Sequence, residues 1–273
     1  MIADPLYFGN PERLLYGVYH QPHCDAPNAP AVVLIAPFGE EAIRAHRPLR
    51  VLAERLAKAG APVLRFDYYG AGDSGGMDED VCIEGMVADA ISAHHELVAM
   101  SVRRRVAWAG VGLGAAIALL AAKQCETSAS QLVLWDPVLN GAAYCAALRE
   151  GHIDWLAHAL DRPRGEVAER VPEPEGLSEA FGVAISEKLR RELISLDLTN
   201  CSNWPSVPVF YMDDVASDGD SEDRYGGAAS HVSYFKTGGD WKSNDAMNAH
   251  LVPLETLNAI VSAIAQPNVR ALA

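Results

Sequence analysis

Apolar residues along the chain gather into short runs rich in β-branched and aromatic types: RLLYGVYH (13–20), APAVVLIAP (29–37), APVLRFD (61–67), RRVAWAG (104–110), SQLVLWD (130–136), VPVFYMD (207–213) and SHVSYFKT (230–237). Runs of this kind, bounded by Gly, Pro and Asp, predict strands. From the second run onward most gaps carry a helical period instead. In RPLRVLAERLAKAG, for example, Leu49, Leu52, Ala53 and Leu56 share one face. Strands alternating with helices predict an α/β fold with a mostly parallel sheet covered on both faces, the first runs pairing antiparallel at its edge.

One gap is too long for a single crossover. Between Pro137 and Val207 lie two helical stretches, AAYCAALREGHIDWLAHAL and LSEAFGVAISEKLRRELISL, separated by the Pro- and Glu-rich RVPEPEG. This segment predicts a helical cap at residues 140–200, inserted within a single domain spanning residues 1–273. A solvated helix pair with no part in any pocket is the alternative. No internal repeat is visible.

Composition narrows the function classes. The chain has 273 residues, 49% hydrophobic and 21% charged, with a formal net charge of -14. Such a surface repels nucleic acid and anionic membranes, which leaves a small-molecule or protein partner. The 5 cysteines form no C-x-x-C pair and are odd in number, so they signal neither a metal site nor a disulfide framework. MIADPLYFGNPERLLYG has no basic region leading into an apolar run, and no apolar stretch is long enough to span a bilayer. The expectation is a cytoplasmic protein without metal or cofactor.

The chemistry-bearing segment is RRVAWAGVGLGAAIALLAAK, residues 104–123, which reads as strand, glycine turn and apolar helix. Two motifs have this shape. In G-x-G-x-x-A, Gly110, Gly112 and Ala115 would let a dinucleotide pyrophosphate approach the backbone, with Asp136 ending the next strand. That fingerprint belongs on the first strand of its unit, however, and here strand and helix units precede it. In G-x-S-x-G, the turn is a nucleophile elbow whose flanking small residues, here Gly110 and Gly114, permit a sharp backbone. Position 112 then holds glycine where the motif has serine.

Two further segments accompany the turn. PFGEE (37–41) follows a strand, and RFDYYGAGDSGG (65–76) presents Asp67, Gly70, Gly72 and Ser74 in a D-x-x-G-x-G-x-S arrangement. Together with the strand spacing over roughly residues 13–265, these segments resemble the α/β-hydrolase superfamily, in particular its serine-aminopeptidase (S33)-like and thioesterase-like members. GVYH, PFGEE, HRPLRVLAERLAKAGAPVLRFDYYGAGDS and LVLWDPVLNG are similar to the exosortase-A-system-associated hydrolases and their relatives near acyl-carrier and polyketide genes.

The resemblance implies site residues. Gly112 occupies the vacant nucleophile position, and the backbone N–H of Leu113, with that of Phe38 or Gly39, would form an oxyanion hole. The family places its general base just before the terminal helix, at His250. The acid should follow VPVFYMDD: Asp214 is the first choice, with Asp213 and Asp218 as alternates, and Asp136 is a further option. Glu40 and Glu41 are either solvated at a helix start, where the dipole favours them, or turned inward to bind a cation or act as a base. Neither Ser74 nor Cys125 is an evident substitute nucleophile.

Glycine cannot form an acyl-enzyme, which excludes the ordinary Ser-His-Asp mechanism. In serine proteases the oxyanion hole and binding still give roughly 10³ to 10⁴ over water when triad members are removed. The implied function is therefore an enzyme acting on an acyl or thioester small molecule, free or presented on an acyl carrier protein, through His250 and oxyanion-hole chemistry. A non-catalytic ligand-binding pseudo-hydrolase is the alternative, and a nucleotide-binding protein a third reading.

Overall fold

The computed structural model of the protein describes residues 3–24, 26–124, 129–199, 205–213, 232–236 and 252–265. In chain order, β1 (Ala3–Asn10) and β2 (Arg13–His20) precede β3 (Ala31–Ile35), α1 (Glu40–Lys58) and β4 (Val63–Phe66). Then follow α2 (Ile83–Ser101), β5 (Val106–Val111), α3 (Leu113–Gln124) and β6 (Gln131–Trp135). After β6 come α4 (Gly141–Ala159), α5 (Arg164–Ala168), a small hairpin of β7 (Glu179–Ala180) and β8 (Val183–Ala184), and α6 (Glu187–Ser195). The sheet resumes with β9 (Val209–Asp213) and β10 (Val232–Lys236), and α7 (Leu254–Ala265) is the last described helix.

Among the described residues eight strands form one sheet in the order β1-β2-β4-β3-β5-β6-β9-β10. It is parallel from β4 through β10, while β1 pairs antiparallel with β2 and β2 with β4. The central strand β5 is buried at every position, as a strand covered on both faces must be. Side chains of α2 and α3 pack with Trp108 on one face; α1 and α7 pack with Trp135 on the other.

Buried polar groups tie the sheet to its surroundings. Asp89 of α2, fully buried, accepts from Arg13 Nε at 2.6 Å, from Arg13 Nη2 at 3.0 Å and from the Tyr69 N–H at 3.0 Å. One carboxylate thus joins β2, the loop after β4 and α2. His94 lies on the buried face of α2 and its Nδ1 accepts from Trp108 Nε1 at 3.1 Å, whereas His95 is exposed. Burial lowers the His94 pKa to about 4.

Two elements differ from the sequence expectation. Residues 3–10 form an edge strand on which only Phe8 is buried, so the alternation that marks a strand is faint there. The stretch LSEAFGVAISEKLRRELISL does not form one helix. Phe181 (φ +54°) and Gly182 (φ +80°) turn the chain between β7 and β8, and the helix begins only after Ser186, whose hydroxyl caps it by accepting from the Leu189 N–H at 3.1 Å. Among the described residues no helix is long and apolar enough to cross a membrane.

Candidate functional site

The turn after β5 is built without room for side chains on either flank. A Cβ on Gly110 would lie 2.6 Å from both the N and the Cα of Ala115, and a Cβ on Gly114 would collide with the carbonyl oxygens of Ile35 and Ala36. Between them Gly112 adopts φ +56°, the left-handed region where a side chain is strained. Its N–H donates to Trp135 O at 2.9 Å, and its carbonyl accepts from Ala115 N at 3.1 Å and Val138 N at 3.2 Å. The backbone is that of a sharp strand-to-helix elbow, held from both sides. Leu113 opens α3, so its N–H belongs to the first helical turn, where amides lack intrahelical acceptors.

Close packing of Gly114 on Ile35 and Ala36 brings the loop after β3 against this elbow. There Ala36 O accepts from Tyr68 Oη at 2.9 Å, Phe38 is buried, and Gly39 (φ +65°) precedes α1. The two amide sources expected from the sequence, Leu113 and Phe38 or Gly39, are thus on adjoining turns. The carboxylates that follow differ from each other. Glu40 pairs with Arg44 one turn on, at 2.5 Å, while Glu41 Oε2 accepts from Tyr144 Oη of α4 at 3.2 Å. Glu41 is therefore turned toward α4, not left to solvent at the helix start.

The D-x-x-G-x-G-x-S segment has a structural role. Ser74 Oγ donates to Asp67 O at 2.6 Å and accepts from the Tyr16 N–H at 2.8 Å, which stitches this loop between β2 and β4. A Cβ on Gly72 would collide with the Asp67 carboxylate, which itself accepts from the Asp73 N–H at 3.1 Å. With its hydroxyl committed in both directions, Ser74 is no substitute nucleophile.

A cavity of about 670 Å³ opens at the carboxyl ends of β3 and β4, where ligands enter parallel sheets. Phe38 and Gly39 form one wall, the loop from Asp67 to Asp73 another, and Val183 of β8 a third. Arg65 and Asp67 both line it. Burial lowers the Arg65 pKa, opposed by the Asp67 charge, and burial raises that of Asp67. Among the described residues no group of three or more His, Cys, Asp and Glu is gathered to hold a metal ion.

Asp213 closes β9 at the carboxyl edge of the sheet, half-buried, and Asp136 (φ +46°) leaves β6 with its N–H donated to Met212 O at 2.8 Å. Both strand ends lie on the same edge as the elbow. His250, Asp214, Asp218 and Cys125 lie outside the described residues. Tyr144 was not anticipated from sequence. Its position in the first turn of a helical stretch gives no sign of a partner that lies 103 positions away.

Comparison with known proteins accords with this geometry. Residues 26–189 match the family described as serine aminopeptidase, S33. Among solved structures, Est1E from Butyrivibrio proteoclasticus with bound ferulic acid is similar with a TM-score of 0.63 and 16% identity, covering 96% of each chain. The Pyrococcus furiosus esterase Pf2001 aligns with a TM-score of 0.60 and 15% identity, over 96% of this chain and 89% of that one. The thioesterase domain from the curacin biosynthetic pathway gives 0.54 and 14%, over 97% and 99%. No curated protein matches. At these identities the solved structures speak for the fold alone, an eight-stranded, mostly parallel sheet with an elbow after its central strand. With the family match covering more than half of its length, the chain belongs to the serine aminopeptidase, S33 family of α/β-hydrolases.

Proposed function

We infer that the protein acts on an acyl or thioester-type small molecule, free or carried on an acyl carrier protein, at the space above Gly112. The observation that carries this reading is the elbow backbone. It keeps the left-handed φ at position 112 and the collision-tight glycines on either side, although no nucleophile remains to be presented. A backbone so constrained holds the Leu113 amide near the loop of Phe38 and Gly39, where an acyl carbonyl can be received. The neighbours include esterases and a thioesterase domain, which suits that class of ligand.

In this reading His250, oriented by Asp214, takes a proton from a water or from the substrate itself. The two amides hold the oxyanion or enolate that develops, and the helices between β6 and β9 cover the site as a cap. Glycine at 112 leaves the volume of a hydroxymethyl group for water or ligand. The absent side chain also favours a second reading, a binding protein that has kept the pocket and lost turnover.

The test uses the butyryl thioester of N-acetylcysteamine. The wild-type chain is expected to turn it over without forming an adduct with a fluorophosphonate probe, and His250→Ala should reduce the rate by about 10² or more. Binding without turnover would select the second reading. Stoichiometric labelling by the probe, or turnover indifferent to His250→Ala, would contradict the base-driven mechanism.

A further inference from the structure

The cavity at the carboxyl ends of β3 and β4 carries a charge pattern for which the acyl-site reading has no use. It adjoins the loop of Phe38 and Gly39, but neither Gly112 nor Leu113 lines it. Side chains along β4 alternate between the faces of the sheet. Leu64, Phe66 and Tyr68 pack on the face that carries Trp108, and Val63 packs on the α1 face, so Arg65 and Asp67 stand on the α1 face as well. There Ala42, His46 and Leu49 of α1 line the same cavity. Asp67 follows β4 directly and continues its ladder, its N–H donating to Tyr16 O at 3.0 Å.

Two residues apart on one face, Arg65 and Asp67 have Cα atoms about 7 Å from each other. Both are half-buried, yet no ion pair joins them. Arg65 donates from Nε to His20 Nε2 at 3.2 Å, and among the described residues no acceptor reaches either Nη. Asp67 Oδ2 accepts from the Asp73 N–H at 3.1 Å, and among the described residues no donor reaches Oδ1. Two opposite charges thus line one cavity, each with a bonding edge unmatched.

Burial works against both charges, lowering the Arg65 pKa and raising that of Asp67. Their charged neighbours do not relieve them. Arg50 and Glu54 of α1 pair with each other at 3.1 Å, while His46, Asp73 and Asp78 are exposed residues of the cavity wall. A ligand bearing only a carboxylate would satisfy Arg65 and be repelled by Asp67; one bearing only an ammonium would do the reverse. A neutral ligand would desolvate both charges and match neither. A zwitterion answers both. The paired Nη groups of a guanidinium suit a carboxylate, and Asp67 Oδ1 suits an N–H donor. Val18, Leu34 and Leu49 offer apolar wall to the rest of the molecule, and about 670 Å³ is ample for it.

We propose that this cavity is a second ligand site, which binds an amino-acid zwitterion with an apolar side chain, its carboxylate on Arg65 and its ammonium on Asp67. The assignment does not rest on the acyl-site reading, since it uses neither Gly112 nor His250. Loss of either charge from the ligand leaves one half-buried protein charge unmatched, which makes the site selective for the doubly charged form.

Calorimetric binding to the full chain tests this with three molecules of one skeleton: leucine, isocaproate, which lacks the ammonium, and isoamylamine, which lacks the carboxylate. Thermal melts serve as the folding control. Wild type is expected to bind leucine more tightly than either analogue by about tenfold or more. Arg65→Gln should abolish the advantage of leucine over isoamylamine, and Asp67→Asn its advantage over isocaproate. A merely structural role for the two residues would not produce that crossed pattern. Asparagine keeps an oxygen for the Asp73 N–H, and Arg65→Gln gives the answer alone if Asp67→Asn does not fold. No binding of leucine, equal affinity for all three molecules, or an advantage that survives in the folded variants would overturn the assignment and leave the acyl-site reading untouched.

Discussion

At the scale of single residues, the site is defined by what three glycines exclude. Gly110 and Gly114 are held by sterics and Gly112 by its backbone angle, so substitutions at the three should fail for different reasons. Alanine at 114 would drive a methyl group into the carbonyls of Ile35 and Ala36, an overpacking expected to cost about 3 kcal/mol. Alanine at 112 meets the left-handed penalty of about 1 to 2 kcal/mol. Urea unfolding midpoints of the two variants compare these costs directly. If Gly114→Ala were as stable as wild type, the close approach of α3 to the end of β3 would be wrong. Glycines of this kind are legible in a sequence because the absence of a side chain is itself the signal. The Tyr144–Glu41 contact is not, since each partner reads locally as an ordinary first-turn residue.

At the scale of elements, the strong periods translated into structure and the weak ones did not. The runs at 13–20, 61–67, 104–110 and 130–136 became β2, β4, β5 and β6, because each is an apolar run bounded by turn residues and buried on at least one face. AAYCAALREGHIDWLAHAL became α4, started by the Asn140 cap. β1 escaped notice because an edge strand that buries only Phe8 has little hydrophobic alternation to show. LSEAFGVAISEKLRRELISL has a helical period throughout, yet its first half forms β7 and β8. Phe181 and Gly182 there take positive φ, and the Phe181 N–H is held by His152 Nδ1 at 3.0 Å, a tertiary bond invisible to local pattern. The D-x-x-G-x-G-x-S spacing was legible as a motif, but its role as a stitch between β2 and β4 emerges only from the bonds of Ser74. The elbow and its neighbouring loop were thus readable from sequence, whereas the partner of Glu41 was not.

At the scale of the whole molecule, buried histidines make stability depend on pH. His20 and His94 are each lowered from 6.5 to about 4, in both cases chiefly by burial, with the Arg65 charge adding to the effect at His20 and that of His95 at His94. A histidine kept neutral in the folded state carries no penalty above its unfolded pKa. As pH falls from 6.5 toward 4 the unfolded chain binds protons that the folded chain cannot, and stability is lost over that window. Between pH 7 and 5.5 each should cost about 1 kcal/mol. Replacing His94 with Gln is expected to flatten the pH dependence of the unfolding free energy by that amount; an unchanged slope would mean that His94 titrates normally in the fold.

On the proposed reading the molecule keeps an acyl-receiving elbow and lacks only the nucleophile. Gly112→Ser tests it most directly. If Leu113 and Phe38 or Gly39 serve as oxyanion donors and His250 as base, as proposed, the variant should acquire stoichiometric fluorophosphonate labelling at position 112 and slow hydrolysis of the butyryl thioester through an acyl-enzyme, both lost on adding His250→Ala. A Gly112→Ser protein that folds, destabilised by no more than the left-handed cost of about 1 to 2 kcal/mol, yet shows neither labelling nor acyl-enzyme formation would contradict the account.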